Sequence, residues 1–88
     1  MLIVDESIAE KIREKHPPLT AEDVHQALVY GRPISAGWDD SHKHGLRLVV
    51  RTTTYAGIEF VAFLMPARPD DPDEGTFVLK TAIPKSHA

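Results

Sequence analysis

Leu46-Arg47-Leu48-Val49-Val50-Arg51-Thr52 and, a few residues on, Ile58-Glu59-Phe60-Val61-Ala62-Phe63-Leu64-Met65 are the two runs that decide the fold. The first alternates. Leu46, Leu48 and Val50 fall on one face of an extended chain, and Arg47, Val49 and Arg51 on the other. The second is apolar at almost every position, which predicts a central strand covered on both faces. Thr53 to Gly57 makes the turn between them. Ala67 to Gly75, rich in Pro and Asp, reads as a mobile hydrophilic loop. Thr76 to Ile83 is a last strand that Pro84 terminates, and Ile34 to Trp38 a short first one.

Upstream of the strands the period changes. Across residues 6–16, Ile8 and Ile12 recur at i, i+4 with Ala9 beside them, and charged residues fill the other side. Ser7 or Glu6 is placed to cap this helix, and Pro17-Pro18 stops it. Leu19-Thr20-Ala21-Glu22-Asp23-Val24 opens a second helix. Thr20 is the N-cap candidate with Asp23 three residues on, and Leu19 and Val24 are spaced as a hydrophobic staple. Val24, Ala27 and Leu28 form its buried stripe, and Gly31 suits a left-handed C′ position. The order is α-α-β-β-β-β. It predicts an α+β fold with two N-terminal helices packed on one face of a three- to four-stranded antiparallel sheet.

Length and composition bound the rest. A chain of 88 residues reads as one domain over 1–88, since separate cores need about 100–200 residues each. Hydrophobic residues at 42% and charged residues at 26% fit an ordinary globular domain and exclude a disordered or collagen-like chain. No apolar run approaches the roughly 18 residues of a spanning helix, and no signal or transit peptide is expected from the opening residues. The expected location is therefore the cytoplasm, with no membrane partner. The absence of cysteine excludes disulfides, thiolate metal sites and cysteine nucleophiles. The net charge is -3, so nucleic acid would have to be held by a local patch. Residues 1–44 carry five basic and eight acidic side chains, and residues 45–88 five of each. A locally positive sheet surface is compatible with that split.

Two constellations carry chemistry. His42-Lys43-His44, with Asp39 and Asp40 nearby, has the donor types of a metal site. A third imidazole would have to come from His16, His25 or His87, and a solvated hairpin loop is the simpler reading, so no metal is expected. Arg47 and Arg51 on one strand face, with Lys80 on the last strand, are spaced as phosphate ligands. Four residues apart on a strand they stand about 13 Å from each other, the scale of successive phosphates on an extended strand. Arg grips phosphate bidentately and stabilises charge developed in phosphoryl transfer. His42 or His44 can exchange a proton near neutral pH. Together they can cleave RNA without metal or cofactor, using the ribose 2′-hydroxyl as nucleophile. The alternative is that the arginines pair with Glu59 across the strands and simply keep the sheet soluble. Of the aromatic residues, Phe60, Phe63 and Phe77 are assigned to the core. Tyr30 and Trp38 are placed closing the edge between helices and sheet, and Tyr55 is left free to stack on bases.

The chain resembles small toxins of the BrnT type, within the RelE/ParE-like superfamily. The resemblance runs through Lys15-His16, Leu19-Thr20-Ala21-Glu22-Asp23-Val24, Asp39 with His42, Gly45 with Arg47, and Thr81-Ala82. It departs after Ala82, where Ile83-Pro84-Lys85 stands in place of an Arg. The resemblance implies a RelE-like fold and a metal-independent endoribonuclease silenced by a cognate antitoxin, with RNA, such as ribosome-associated mRNA, as substrate. Lys15, His16, His42 and Arg47 match its polar positions. Strand geometry adds Arg51 and Lys80 to the catalytic set, and Lys43, His44 and Tyr55 join Lys15 and His16 as RNA contacts. The competing expectation is a non-catalytic protein-interaction module on the same fold, forming a complex with a partner or a homodimer.

Overall fold

The structure, a computed structural model, describes residues 1–40 and 45–85. His42, Lys43 and His44 lie outside the described residues. Seven regular elements follow in chain order: β1 (Leu2–Ile3), α1 (Glu6–Lys15), α2 (Ala21–Tyr30), β2 (Ser35–Asp39), β3 (Arg47–Thr53), β4 (Glu59–Pro66) and β5 (Phe77–Pro84). A single 3-10 turn at Pro72–Glu74 interrupts the loop before β5. The five strands form one sheet in the order β1-β5-β4-β3-β2.

The expected α+β class holds, with both helices on one face of the sheet. The strand count and the antiparallel sheet are corrected. β1 pairs parallel to β5, Leu2 against Phe77 and Ile3 against Val78, so the sheet is five-stranded and mixed. Two residues have no periodicity to read. What makes them a strand is docking: the N-terminal ammonium donates to the Gly75 carbonyl at 2.9 Å, and Phe77 N–H to Met1 O at 2.9 Å.

The helix signals act largely as the sequence implies. The Thr20 hydroxyl accepts from Asp23 N–H at 3.2 Å, and Leu19 and Val24 are both buried in the same core. We expect Thr20→Ala to lower stability by about 1 kcal/mol, the usual worth of such a cap; urea titration checks it, and an unchanged midpoint would show that the cap is idle. α1 differs from expectation. Its N-cap is Asp5, with no side-chain cap bond, so neither Ser7 nor Glu6 fills that role. Gly31 is not left-handed either: its φ is -84° and the chain leaves α2 extended. Glycine is needed there for space, because a Cβ would stand 2.5 Å from the Ala27 carbonyl oxygen.

The core is one cluster between helices and sheet. Ile12, Leu19, Val24 and Ala27 meet Val50, Phe60, Ala62, Leu64, Leu79 and Ala82. Buried hydroxyls are satisfied: Thr52 donates to Arg32 O, and Thr54 accepts from Ile58 N–H. β4 is central, as expected, but covered on one face only. Phe60, Ala62, Leu64 and Pro66 are buried, while Glu59, Val61, Phe63 and Met65 are half-exposed. Phe63 is thus not a core residue, and Tyr30, at 74% exposure, does not seal the edge, whereas Trp38, half-exposed, packs its ring 6.0 Å from that of Phe77. Both helices lie on the same side, and no element among the described residues covers the other.

Candidate functional site

Alternation along β3 sends Arg47, Val49 and Arg51 to the bare side of the sheet and Leu48, Val50 and Thr52 to the helices. Register then chooses the partners. Asp39 on β2 stands directly opposite Arg47. The guanidinium binds the Asp39 Oδ2 through both Nε and Nη2, each at 2.8 Å. Its carbon sits 4.6 Å above the centre of the Phe63 ring. Arg47 is therefore held from two sides, by a carboxylate and by an aromatic face, in a partly buried position where both contacts gain over their surface values.

A second group forms at the other end of the face. Glu59 Oε2 lies 3.8 Å from Arg51 Nη2 and 3.5 Å from Lys85 Nζ. Lys85 is brought there by its own backbone, whose N–H donates to Glu59 O at 2.8 Å. Arg51, Glu59 and Lys85 rim a groove of about 390 Å³ floored by Val61, Phe63 and Ile83. Lys80 reaches the same side through a β-bulge. The register steps from Phe63–Thr81 to Leu64–Leu79 and leaves Lys80 unpaired. Its neighbours Leu79 and Ala82 are buried against the helices, so Lys80, exposed between them, lies on the bare side.

The sequence-derived residues are thus only partly gathered. Arg47, Arg51 and Lys80 share one face. Lys15 and His16 close α1, in the helical layer, so the sheet stands between them and the arginines. Tyr55 occupies the turn between β3 and β4 and is 83% exposed. The proposed catalytic His42, with Lys43 and His44, lies outside the described residues, as does the metal cluster they would have formed. Asp39, considered as an oxygen ligand, is bound to Arg47. Among the described residues no three His, Asp or Glu side chains come together. Sequence reasoning had Glu59 as an arginine partner but missed Lys85, whose position depends on where β5 ends against β4. It also missed Phe63 as a platform, because an unbroken apolar run hides which face is covered.

Fold and site together define a small α+β domain whose charged chemistry is concentrated on the uncovered side of a mixed sheet. No family model, curated protein or solved structure matches the chain. No helix among the described residues is long and apolar enough to cross a membrane.

Proposed function

We propose that the chain is a protein-interaction domain whose bare sheet face receives an acidic, amphipathic segment of a partner protein. One observation carries this reading. Around the half-exposed Val61, Phe63 and Met65, the face sets four cations (Arg47, Arg51, Lys80, Lys85) against two carboxylates (Asp39, Glu59), a local +2. The whole chain is -3. A face with an apolar centre and a positive rim matches a segment whose apolar residues are flanked by Asp or Glu. In the RelE-like setting that the resemblance implies, and that the helix pair followed by strands supports, the partner is the cognate antitoxin.

The second reading is the metal-independent endoribonuclease. It is favoured by Arg47 and Arg51 projecting from one strand onto one face with Lys80 beside them. In that reaction the 2′-hydroxyl oxygen attacks the adjacent phosphorus and His42 takes its proton. A 2′,3′-cyclic phosphate forms as the P–O5′ bond breaks, and the leaving 5′-oxygen takes a proton from water. Arg47 would have to exchange Asp39 for phosphate, and Arg51 likewise Glu59. Ion pairing already met within the face is what ranks this reading second.

Co-expression with the product of the adjacent reading frame tests the first reading. A complex should co-purify, and Phe63→Asp, which places a carboxylate at the centre of the face, should abolish it while leaving the circular dichroism unchanged. A folded Phe63→Asp chain that retains its partner would overturn the proposal. RNA integrity after induced expression of the chain alone tests the second: degradation relieved by Arg47→Ala would establish the nuclease.

A further inference from the structure

The other unpartnered feature is an edge, not a face. β2 ends the sheet and is exposed at every residue but its last. It has little to block edge pairing: Ser35-Ala36-Gly37-Trp38-Asp39 has no Lys, no Pro and no bulge, and its one charge, Asp39, lies at the end of the strand and is paired with Arg47. Exposed apolar side chains crowd the same side of the molecule, with Val29 at 45%, Ile34 at 53% and Trp38 at 49% exposure. Beside them, between α2 and the β2–β3 end of the sheet, opens an apolar groove of about 400 Å³ lined by Leu28, Val29, Pro33, Ala36 and Leu48 among others.

We propose that β2 pairs antiparallel with β2 of a second copy, joining two sheets into one of ten strands about a two-fold axis at Gly37. The argument is self-complementarity, which a two-fold contact requires. Centred on Gly37, the pairing sets Ser35 against Asp39 of the other copy, so a hydroxyl donor meets a carboxylate at both ends. No like charges oppose each other within the strand. Ala36 meets Trp38 of the other copy, so each indole, which lies 6.0 Å from the Phe77 ring of its own chain, also covers Ala36 at the wall of the neighbour's groove. Just outside the strand, Arg32 precedes one end and Asp40 follows the other, so the antiparallel contact brings opposite charges to each of its ends. Directly opposed residues of an antiparallel pair project to the same side. Both helical layers therefore lie on one face of the joined sheet, and the two bare faces become continuous. This proposal is independent of what those bare faces bind.

The chain contains no cysteine, which makes the test specific. A Cβ at Gly37 would meet nothing within 4 Å, so Gly37→Cys leaves the fold undisturbed and places one thiol at the axis. Sedimentation of the unaltered chain at micromolar concentration should give twice the 9.8 kDa of one copy. Mild oxidation of the Gly37→Cys chain should give a disulfide-linked dimer at least tenfold faster than oxidation of Tyr55→Cys, whose thiol sits at a remote exposed turn. Trp38→Lys should sediment as a monomer. A monomeric parent chain, equal cross-linking at both positions, or a folded Trp38→Lys chain that remains dimeric would each overturn the proposal. So would a parent chain that recruits a foreign strand at this edge in preference to its own copy.

Discussion

Phe60→Ala is expected to remove about 3–5 kcal/mol of stability, the range for deleting a fully buried ring and leaving its cavity. Phe60 is 0% exposed, on the covered face of the central strand, and is among the largest fully buried side chains. For a chain this short the total is near the low end of about 5–15 kcal/mol, so the variant retains about 0–2 kcal/mol and should be partly unfolded without denaturant. In urea, with a slope of about 1 kcal/mol per molar for so small a domain, the midpoint should fall by about 3–5 M. Phe63→Ala provides the contrast. It removes the same side chain from the same strand, three residues on, but from the bare face, where the ring is half-exposed and stacks under Arg47. Its loss should be about 1 kcal/mol. Equal losses at the two positions would mean that both faces of β4 are buried, and the one-sided architecture would have to be abandoned.

The second large effect is electrostatic. Reversing Arg51 and Lys85 together to Glu subtracts four charges from the face, taking its rim from +2 to -2 and surrounding Glu59 with carboxylates. Affinity for the proposed acidic partner should fall by about 100-fold, roughly 2.8 kcal/mol. The effect of salt should also change sign. Screening, with a Debye length of about 10 Å at 0.1 M, weakens attraction to the parent chain and relieves repulsion in the variant. Stability should move little, since exposed ion pairs are worth about 0–1 kcal/mol. Titration calorimetry at two salt concentrations, beside a urea titration, separates the two quantities. A double variant that binds within threefold of the parent would show that the charged rim does not select the partner.

Particular elements show where the sequence was readable. α2 begins at Ala21 because Thr20, Leu19 and Val24 act within a few residues of one another, and α1 stops at Lys15 because prolines follow. The alternation of β3 put both arginines on one face in the sequence and in the fold alike. β1 was invisible, since two residues carry no period and are held by pairing to residues more than seventy positions away. Gly31 was read from residue type as a left-handed cap, whereas its extended backbone leaves only the approach to Ala27 as a reason for glycine.

Local patterning by itself determined the helix pair, the hairpin strands and the common side of Arg47 and Arg51, because capping, alternation and proline placement act over one or two turns of chain. Tertiary structure alone decided that β4 is covered on one face, that Asp39 and not Glu59 holds Arg47, and that a bulge turns Lys80 outward. It also decided that Lys15 and His16 stand across the sheet from the arginines. Those outcomes depend on which strands lie side by side, in what register, and which face two ten-residue helices come to cover. Each is a relation between distant segments, and burial and ion pairing settle it only once the chain has closed on itself.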